Sequence, residues 1–502
     1  MTPAGAEAPS AADLSRAVDV LRAEALAPIV DLVAWPERDG SGRVEAVVVA
    51  NHAGSSRLRV GAPHEVLDGR DPVADTDPLR FATYEEVVAD PSPPNERNAY
   101  PLPAERLSSL FSEARAPDLA VVHSPRHYFA DRGGHLGEHG SLDVIQSRAP
   151  LLLSGYGVGQ RGILAAHART VDVGPTLAAC SGVPTEALAG LDGRVLSEYV
   201  DAGARHVVGI LWDGAPSADL LHHAGTGLLP NVARLLERGL ALRGGAVAEF
   251  PSITLCNHTS LLTGLGPGRH GVIGNVFYDR VAGAVVVPND ASTWHRSADW
   301  FRDEVVTVFE QVARHRPGAI TASIDEPVDR GATHSTMGLI RAGEQTAGRD
   351  GGGARALAAQ LPSPLESPYA TREFVVADAD YAWNSQIDDA GLAQVLGLWE
   401  RADSAPALTW WSHIVTDAGH HAGGPRSPIA VASLIDADRR LGAFLDHLEA
   451  IGLLDETTVL LTADHGFEGA DPGCTGDWVP ALKAAGVEVQ DHGPGFLYLG
   501  AP

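Results

Sequence analysis

Apolar runs alternate with amphipathic stretches along most of this chain. His206–Trp212 (HVVGILW) is an unbroken apolar run that reads as a buried strand, and 408–416 and Thr457–Thr462 repeat the pattern. Between them, 228–239 and 427–451 carry apolar residues at helical spacing, and 253–264 leads into another helix. Upstream, Leu14, Val18, Leu21 and Ala25 predict a helix over 13–26. Residues 30–34, 44–50, 119–123 and 150–154 predict strands, and 495–499 a last one. Residues 171–180 (VDVGPTLAAC) predict the start of a helix, with Pro175 tolerated in its first turn. Residues 51–103 are rich in Pro, Asp, Gly and Asn and predict loops that leave the core. Residues 276–405 are mixed, with scattered aromatics (Tyr278, Trp294, Trp300, Phe301, Tyr381, Trp383), and read as an inserted cap. Strands that alternate with helices imply an α/β fold with a largely parallel, doubly wound sheet.

Composition narrows the partners. A length of 502 residues exceeds what one small core organises. The net charge of −27 argues against nucleic acid polymers and anionic membranes as broad-surface partners. A small phosphate ester stays open, because bound divalent ions invert the local field. Three cysteines, none in CxxC spacing, form no disulfide framework. No apolar run reaches the ~20 residues of a membrane span. Residues 1–12 lack a basic start and an apolar core, so no secretory signal is expected and the setting is read as cytoplasmic.

Three apolar strands each deliver a carboxylate at the C-terminal end: Asp213, Asp417 and Asp464. That edge of an open α/β sheet is where ligands bind. A single such Asp is more often a helix cap; three together point to a site. Asp417 and His421 stand four apart, one face of a helix, where an oxygen and a nitrogen can meet one metal. Asp464 and His465 are adjacent on a loop, so their side chains diverge.

The segment 249–275 (EFPSITLCNHTSLLTGLGPGRHGVIGN) is the most specific. It resembles the nucleophile segment of the nucleotide pyrophosphatase/phosphodiesterase branch of the alkaline phosphatase superfamily. Thr254 stands three residues before Asn257-His258 and ahead of Thr263-Gly264-Leu265 and His270-Gly271. The resemblance implies a three-layer αβα fold with a mostly parallel sheet. It implies two divalent metal ions, for which zinc suits the donors best and manganese or iron also fits. Site one would take Asp213, Thr254, Asp464 and His465; site two would take Asp417, His421 and a further histidine. Thr254 would be the nucleophile, through a phosphothreonine intermediate, and Asn257 would stabilise a phosphoryl oxygen. Tyr278 and Arg280 are candidates for contact with a small phosphate ester substrate.

The last histidine is out of order. In the family it follows the Asp-His pair, in Gly-x-His-Gly ahead of a strand and a helix with Pro-Thr-Leu. His492 lies downstream, but only His139, in Gly137-Glu138-His139-Gly140, is followed by such a strand and by GPTLAAC. His139 is the expected ligand, and the chain is expected to be circularly permuted. Residues 1–200 would be the family's C-terminal portion placed first, with 51–118 partly an excursion. Residues 205–275 and 405–502 would be its N-terminal portion, and 276–404 the cap. The expected activity is that of a two-metal phosphodiesterase. A phosphomonoesterase would need a further positive group. A phosphonate hydrolase of the same superfamily would use cap lysines, whereas Lys483, outside the cap, is the only lysine. A metal-binding but inactive scaffold is the alternative of another class.

Overall fold

The computed structural model describes residues 10–131, 133–159, 162–280, 282–290, 292–347, 379–493 and 495–500. Its centre is an eight-stranded sheet. The order is His334–Ser335, Thr321–Ile324, Leu408–His413, His206–Trp212, Thr457–Thr462, Leu151–Gly155, Gly239–Leu242, Gly162–Leu164. His206–Trp212 pairs in parallel with Leu408–His413 on one side and Thr457–Thr462 on the other. Only Leu151–Gly155 runs against its two neighbours. The three central strands are buried on both faces, which is why they read as continuous apolar runs rather than alternating ones. Helices Val173–Cys180, Pro230–Glu237 and Pro428–Ala450 share one apolar core with the sheet, around Trp212, Trp399, Trp410 and Trp411. The fold is thus the expected mixed α/β class.

A second sheet goes beyond the single doubly wound layer expected from the pattern. Seven strands, all paired antiparallel, run Val489–His492, Phe496–Leu499, Leu119–His123, Val30–Arg38, Val44–Asn51, Gly54–Leu58, Glu65–Gly69. Its geometry follows from short connections. Val30–Arg38 and Val44–Asn51 are joined by residues 39–43, and so short a link closes only an antiparallel pair. There Asp39 Oδ1 accepts the Ser41 and Arg43 N–H groups. Strands Gly54–Leu58 and Glu65–Gly69 lie where loops were expected.

The 276–404 span is also more integrated than a cap. It begins as a small hairpin, Phe277–Asp279 with Ala284–Val286. It then contributes Thr321–Ile324 and His334–Ser335 to the large sheet, because Thr321–Ile324 pairs in parallel with Leu408–His413. Its long helix Ala379–Leu398 packs on helices Val415–Gly423 and Pro428–Ala450. Residues 348–378 of this span lie outside the described residues.

Candidate metal centre

Three parallel neighbours bring their C-terminal ends to one edge. His206–Trp212 is followed directly by Asp213 and Thr457–Thr462 by Ala463-Asp464-His465; Leu408–His413 leads into helix Val415–Gly423, which carries Asp417 and His421 one turn apart. Gly214 closes the first turn with φ +64°, and a Cβ there would stand 2.3 Å from the Phe467 ring and 3.2 Å from His465 Cε1. Its N–H donates to Asp464 Oδ1 at 3.0 Å.

Two groups of potential ligands result. Asp213, Asp464 and His465 offer one atom each within 4.8 Å of one another, and His139, Asp417 and His421 do the same. His465 Nε2 lies 3.1 Å from Asp464 Oδ2 and 3.7 Å from Asp213 Oδ1. His139 Nε2 lies 3.2 Å from His421 Nε2, and Asp417 Oδ1 lies 3.8 Å and 3.5 Å from the two nitrogens. The groups adjoin: the His139 and His465 rings stack with centroids 3.7 Å apart. A third group, His135, Glu138 and His421, borders the second.

The hydrogen bonds test whether these residues suit cations. His421 Nδ1 faces the Gly137 carbonyl at 2.9 Å, His139 Nδ1 the Ser252 carbonyl at 3.1 Å, and His465 Nδ1 the Gly466 carbonyl at 3.1 Å. A carbonyl only accepts, so each Nδ1 carries the proton and each Nε2 presents a lone pair inward. Two such lone pairs facing at 3.2 Å are unfavourable without a cation between them. Asp213 Oδ1, Asp464 Oδ2, Asp417 Oδ1 and His465 Nε2 are likewise buried without a hydrogen-bond partner. A backbone carbonyl fixing the outer nitrogen is the usual support of a ligating histidine.

The charge balance agrees. Burial, then the Asp464 and Asp417 carboxylates, push Asp213 well above the carboxylate range, and His258 offsets this only in part. Asp417 is pushed up to about 6, by burial first; His465 opposes the rise and Asp464 adds to it. Burial, with His465 and His421, holds His139 well below its usual value, and burial brings His421 down to about 4. Neutral imidazoles beside crowded carboxylates are the forms that ligate a divalent ion.

Thr254 opens helix Thr254–Thr263, which ends at Gly264 in the left-handed region, φ +69°. The segment just before it passes His139, through the Ser252 carbonyl and the contact of Ile253 with Gly140. His258, one turn after Thr254 and on the same face, stands 3.5 Å from Asp213 Oδ2.

Three expectations change. Asn257 does not present its amide to the site: Oδ1 accepts from Glu249 N–H and Thr170 Oγ1, and Nδ2 donates to the Pro251 and Ile253 carbonyls. It ties the helix to the segment before it. Asn275 is the amide at the helix start, its Oδ1 accepting the Leu255 N–H at 3.0 Å. It is the last residue of the 249–275 segment, so the sequence contained it but held no sign of its direction. Tyr278 and Arg280 are engaged with the antiparallel sheet: Tyr278 stacks on His492, and Arg280 pairs with Asp118 over the Tyr498 ring. His492 lies on an edge strand and bonds Gln490, while His139 is the histidine beside Asp417 and His421.

Comparison with known proteins gives the same direction. The profile of the family described as type I phosphodiesterase / nucleotide pyrophosphatase matches residues 207–495, more than half of the chain. An uncharacterised pyrophosphatase/phosphodiesterase of Schizosaccharomyces pombe is 36% identical over 84 residues, 17% of this chain and 16% of that protein. Ectonucleotide pyrophosphatase/phosphodiesterase 2 of Saccharomyces cerevisiae is 38% identical over 55 residues, 11% of each. Among solved structures, murine ectonucleotide pyrophosphatase/phosphodiesterase 5, in an inactive form in complex with AMP, aligns at 18% identity and a TM-score of 0.38, covering 54% of this chain and 59% of that one. Phosphonoacetate hydrolase from Sinorhizobium meliloti with phosphonoformate aligns at 23% identity and 0.34, covering 53% and 57%. The chain thus spans under a fifth of the curated relatives' length and under two thirds of these structures. No described helix is long and apolar enough to cross a membrane. By the profile that runs from His206–Trp212 past the Asp464-His465 pair, the chain belongs to the type I phosphodiesterase / nucleotide pyrophosphatase family.

Proposed function

We propose that this protein is a two-metal phosphodiesterase that hydrolyses small phosphate esters, nucleotide pyrophosphates among them, through a phosphothreonine on Thr254. One observation carries the reading: two adjoining groups of Asp and His, one buried and one half-buried, in which Asp213 Oδ1, Asp464 Oδ2, Asp417 Oδ1 and His465 Nε2 lack hydrogen-bond partners, beside the N-terminus of the Thr254 helix. Asp213, Asp464, His465 and Thr254 would hold one ion; Asp417, His421 and His139 the other. Zinc suits this donor set, and manganese or iron fits it. When bound, such ions lower the pKa of a hydroxyl and offset charge on the transferred phosphoryl group.

The chain's own groups supply the rest. Thr254 Oγ would attack phosphorus and release its hydroxyl proton; the Oγ–P bond forms as the P–O bond to the leaving alkoxide, or to the leaving phosphate of a pyrophosphate, breaks, and that oxygen takes up the released proton. Water would then form its own bond to phosphorus as Oγ–P breaks, one water proton returning to Oγ. The Thr254 N–H, at the start of the helix, would face developing negative charge. Asn275 Nδ2, held at the same end by the bond of its Oδ1 to Leu255, donates to a non-bridging oxygen.

A diester is favoured over a monoester because the arginines around the nucleophile segment are already paired. Arg115 and Arg302 meet Glu113, Arg169 meets Glu249, and Arg280 meets Asp118. Each of these is engaged by a carboxylate, Arg115 and Arg302 sharing one.

The test is an assay of chromogenic phosphodiester, phosphomonoester and sulfate ester side by side, with phosphonoacetate, in added zinc or manganese. Thr254→Ala should lower diester turnover by at least ~1000-fold while both ions still bind. Substantial residual turnover, or a clear preference for the monoester, defeats the assignment.

A further inference from the structure

His258 has no part in the ligand groups, yet it lies at their edge. It follows Thr254 by one helical turn and is fully buried. Its Nδ1 meets both oxygens of Glu326, at 2.9 Å and 3.1 Å. Its Nε2 stands 3.5 Å from Asp213 Oδ2 and 3.7 Å from Asp464 Oδ2.

The oxygens of site one differ in their surroundings. Asp213 Oδ1 and Asp464 Oδ2 are buried without a hydrogen-bond partner and face His465 Nε2. Asp464 Oδ1 accepts the Gly214 N–H, and His258 Nε2, itself buried without a hydrogen-bond partner, stands 3.5 Å from Asp213 Oδ2. Glu326 is itself locked, accepting from Trp410 Nε1, Ser412 Oγ and the Val328 N–H. It comes from the 276–404 span, two residues after Thr321–Ile324, and is buried like its partner.

We propose that Glu326 and His258 form a positioning pair for site one: Glu326 fixes the imidazole, and Nε2 donates to the outer oxygen of Asp213, so that Oδ1 is presented to the ion. The pair rests on the two-metal reading above. It gives the 276–404 span a task at the metal centre, since the carboxylate that orients His258 is delivered by a strand of that span in the large sheet. A carboxylate that loses its outer hydrogen bond rotates, and such partners are worth about 10- to 100-fold in metal affinity.

The test is calorimetric titration of the metal-stripped full chain with Zn2+, repeated with Co2+ to follow the ligand-field spectrum. Wild type should take two ions. His258→Ala and Glu326→Gln should weaken one ion by about 10- to 100-fold and leave the other nearly unchanged. Combination with Asp417→Asn, which removes site two, should show that the weakened ion is that of site one. His258→Gln, which keeps an N–H donor, should recover part of the loss. Glu326→Gln keeps its volume, so thermal melting of the metal-free variant serves as the folding control. Wild-type affinity at both sites in both variants, or equal weakening of both ions, overturns the pair's role. A wild-type chain that takes up no ion overturns the metal reading itself, and the pair with it.

Discussion

At the scale of residues, what a side chain can do was readable, and where it points was not. Asp213, Asp464 and His465 announce themselves because several polar ligands directly after buried apolar runs have few other uses. Asn257 and His258 are neighbours, and only folding separates their tasks. One turns back to the backbone of 249–253, the other reaches the metal groups. Glu326 carried no local signal, since its importance lies in a partner 68 positions away. Buried carboxyls elsewhere also shape stability. Asp31, held by the Tyr100 hydroxyl at 2.7 Å, is pushed up to about 7, mainly by burial. Its folded-state value lies above the unfolded one. Between about pH 4 and 7 the unfolded chain therefore releases this proton first, and stability falls as pH rises through that window. Asp31→Asn should remove this slope and raise stability at pH 8, on the order of 1 to 4 kcal/mol. Denaturant melts at about pH 5 and pH 8 measure it; parallel pH dependence in the two proteins would refute it.

At the scale of elements, periodicity located helices and strands well where their burial is regular. The three central strands of the large sheet and helix Pro428–Ala450 lie where the apolar pattern put them. It missed Glu65–Gly69, whose five residues are all exposed and so carry no burial period. It also read Thr321–Ile324 as cap, because a four-residue strand is too short to announce its sheet. Turns matter as much as elements here. Gly214 adopts φ +64° directly after Asp213, with the Phe467 and His465 rings against it. Gly214→Ala adds about 1–2 kcal/mol of backbone strain and a clash besides. Loss of one bound ion per chain, with a lower melting temperature, is the expected result by metal analysis and thermal denaturation. Full metal content at unchanged stability would show that the turn is not what sets site one.

At the scale of the whole molecule, the order of the chain and the order of the site disagree. The family match runs over 207–495, while His139, 282 positions before His421, stands 3.2 Å from it. We propose that this reflects a circular permutation. In support, Phe496–Leu499 and Val30–Arg38 flank the same strand, Leu119–His123, and helix Ala11–Leu21 shares an apolar cluster with Leu482, Leu497 and Leu499. The expected approach of the two chain ends falls on residues 1–9 and 501–502, which lie outside the described residues. A chain that starts at residue 205, runs through 500, is joined to residue 11 and ends at 204 should fold and bind two ions with unchanged affinity. Failure of that chain to fold, beside a soluble and monodisperse preparation of the wild type, would count against permutation. By itself the sequence determined the family, the strand ends that carry carboxylates and the Asp417–His421 pair, because these follow from local periodicity and one helical turn. The choice of His139 over His492 also came from the strand and helix that follow it in the sequence. Only the tertiary structure decided that Asn257 turns away, that Glu326 backs His258, and that a second, antiparallel sheet stands beside the first. Each of these depends on contacts between segments far apart in the chain, and no local pattern of apolar and polar residues encodes the direction in which such segments meet.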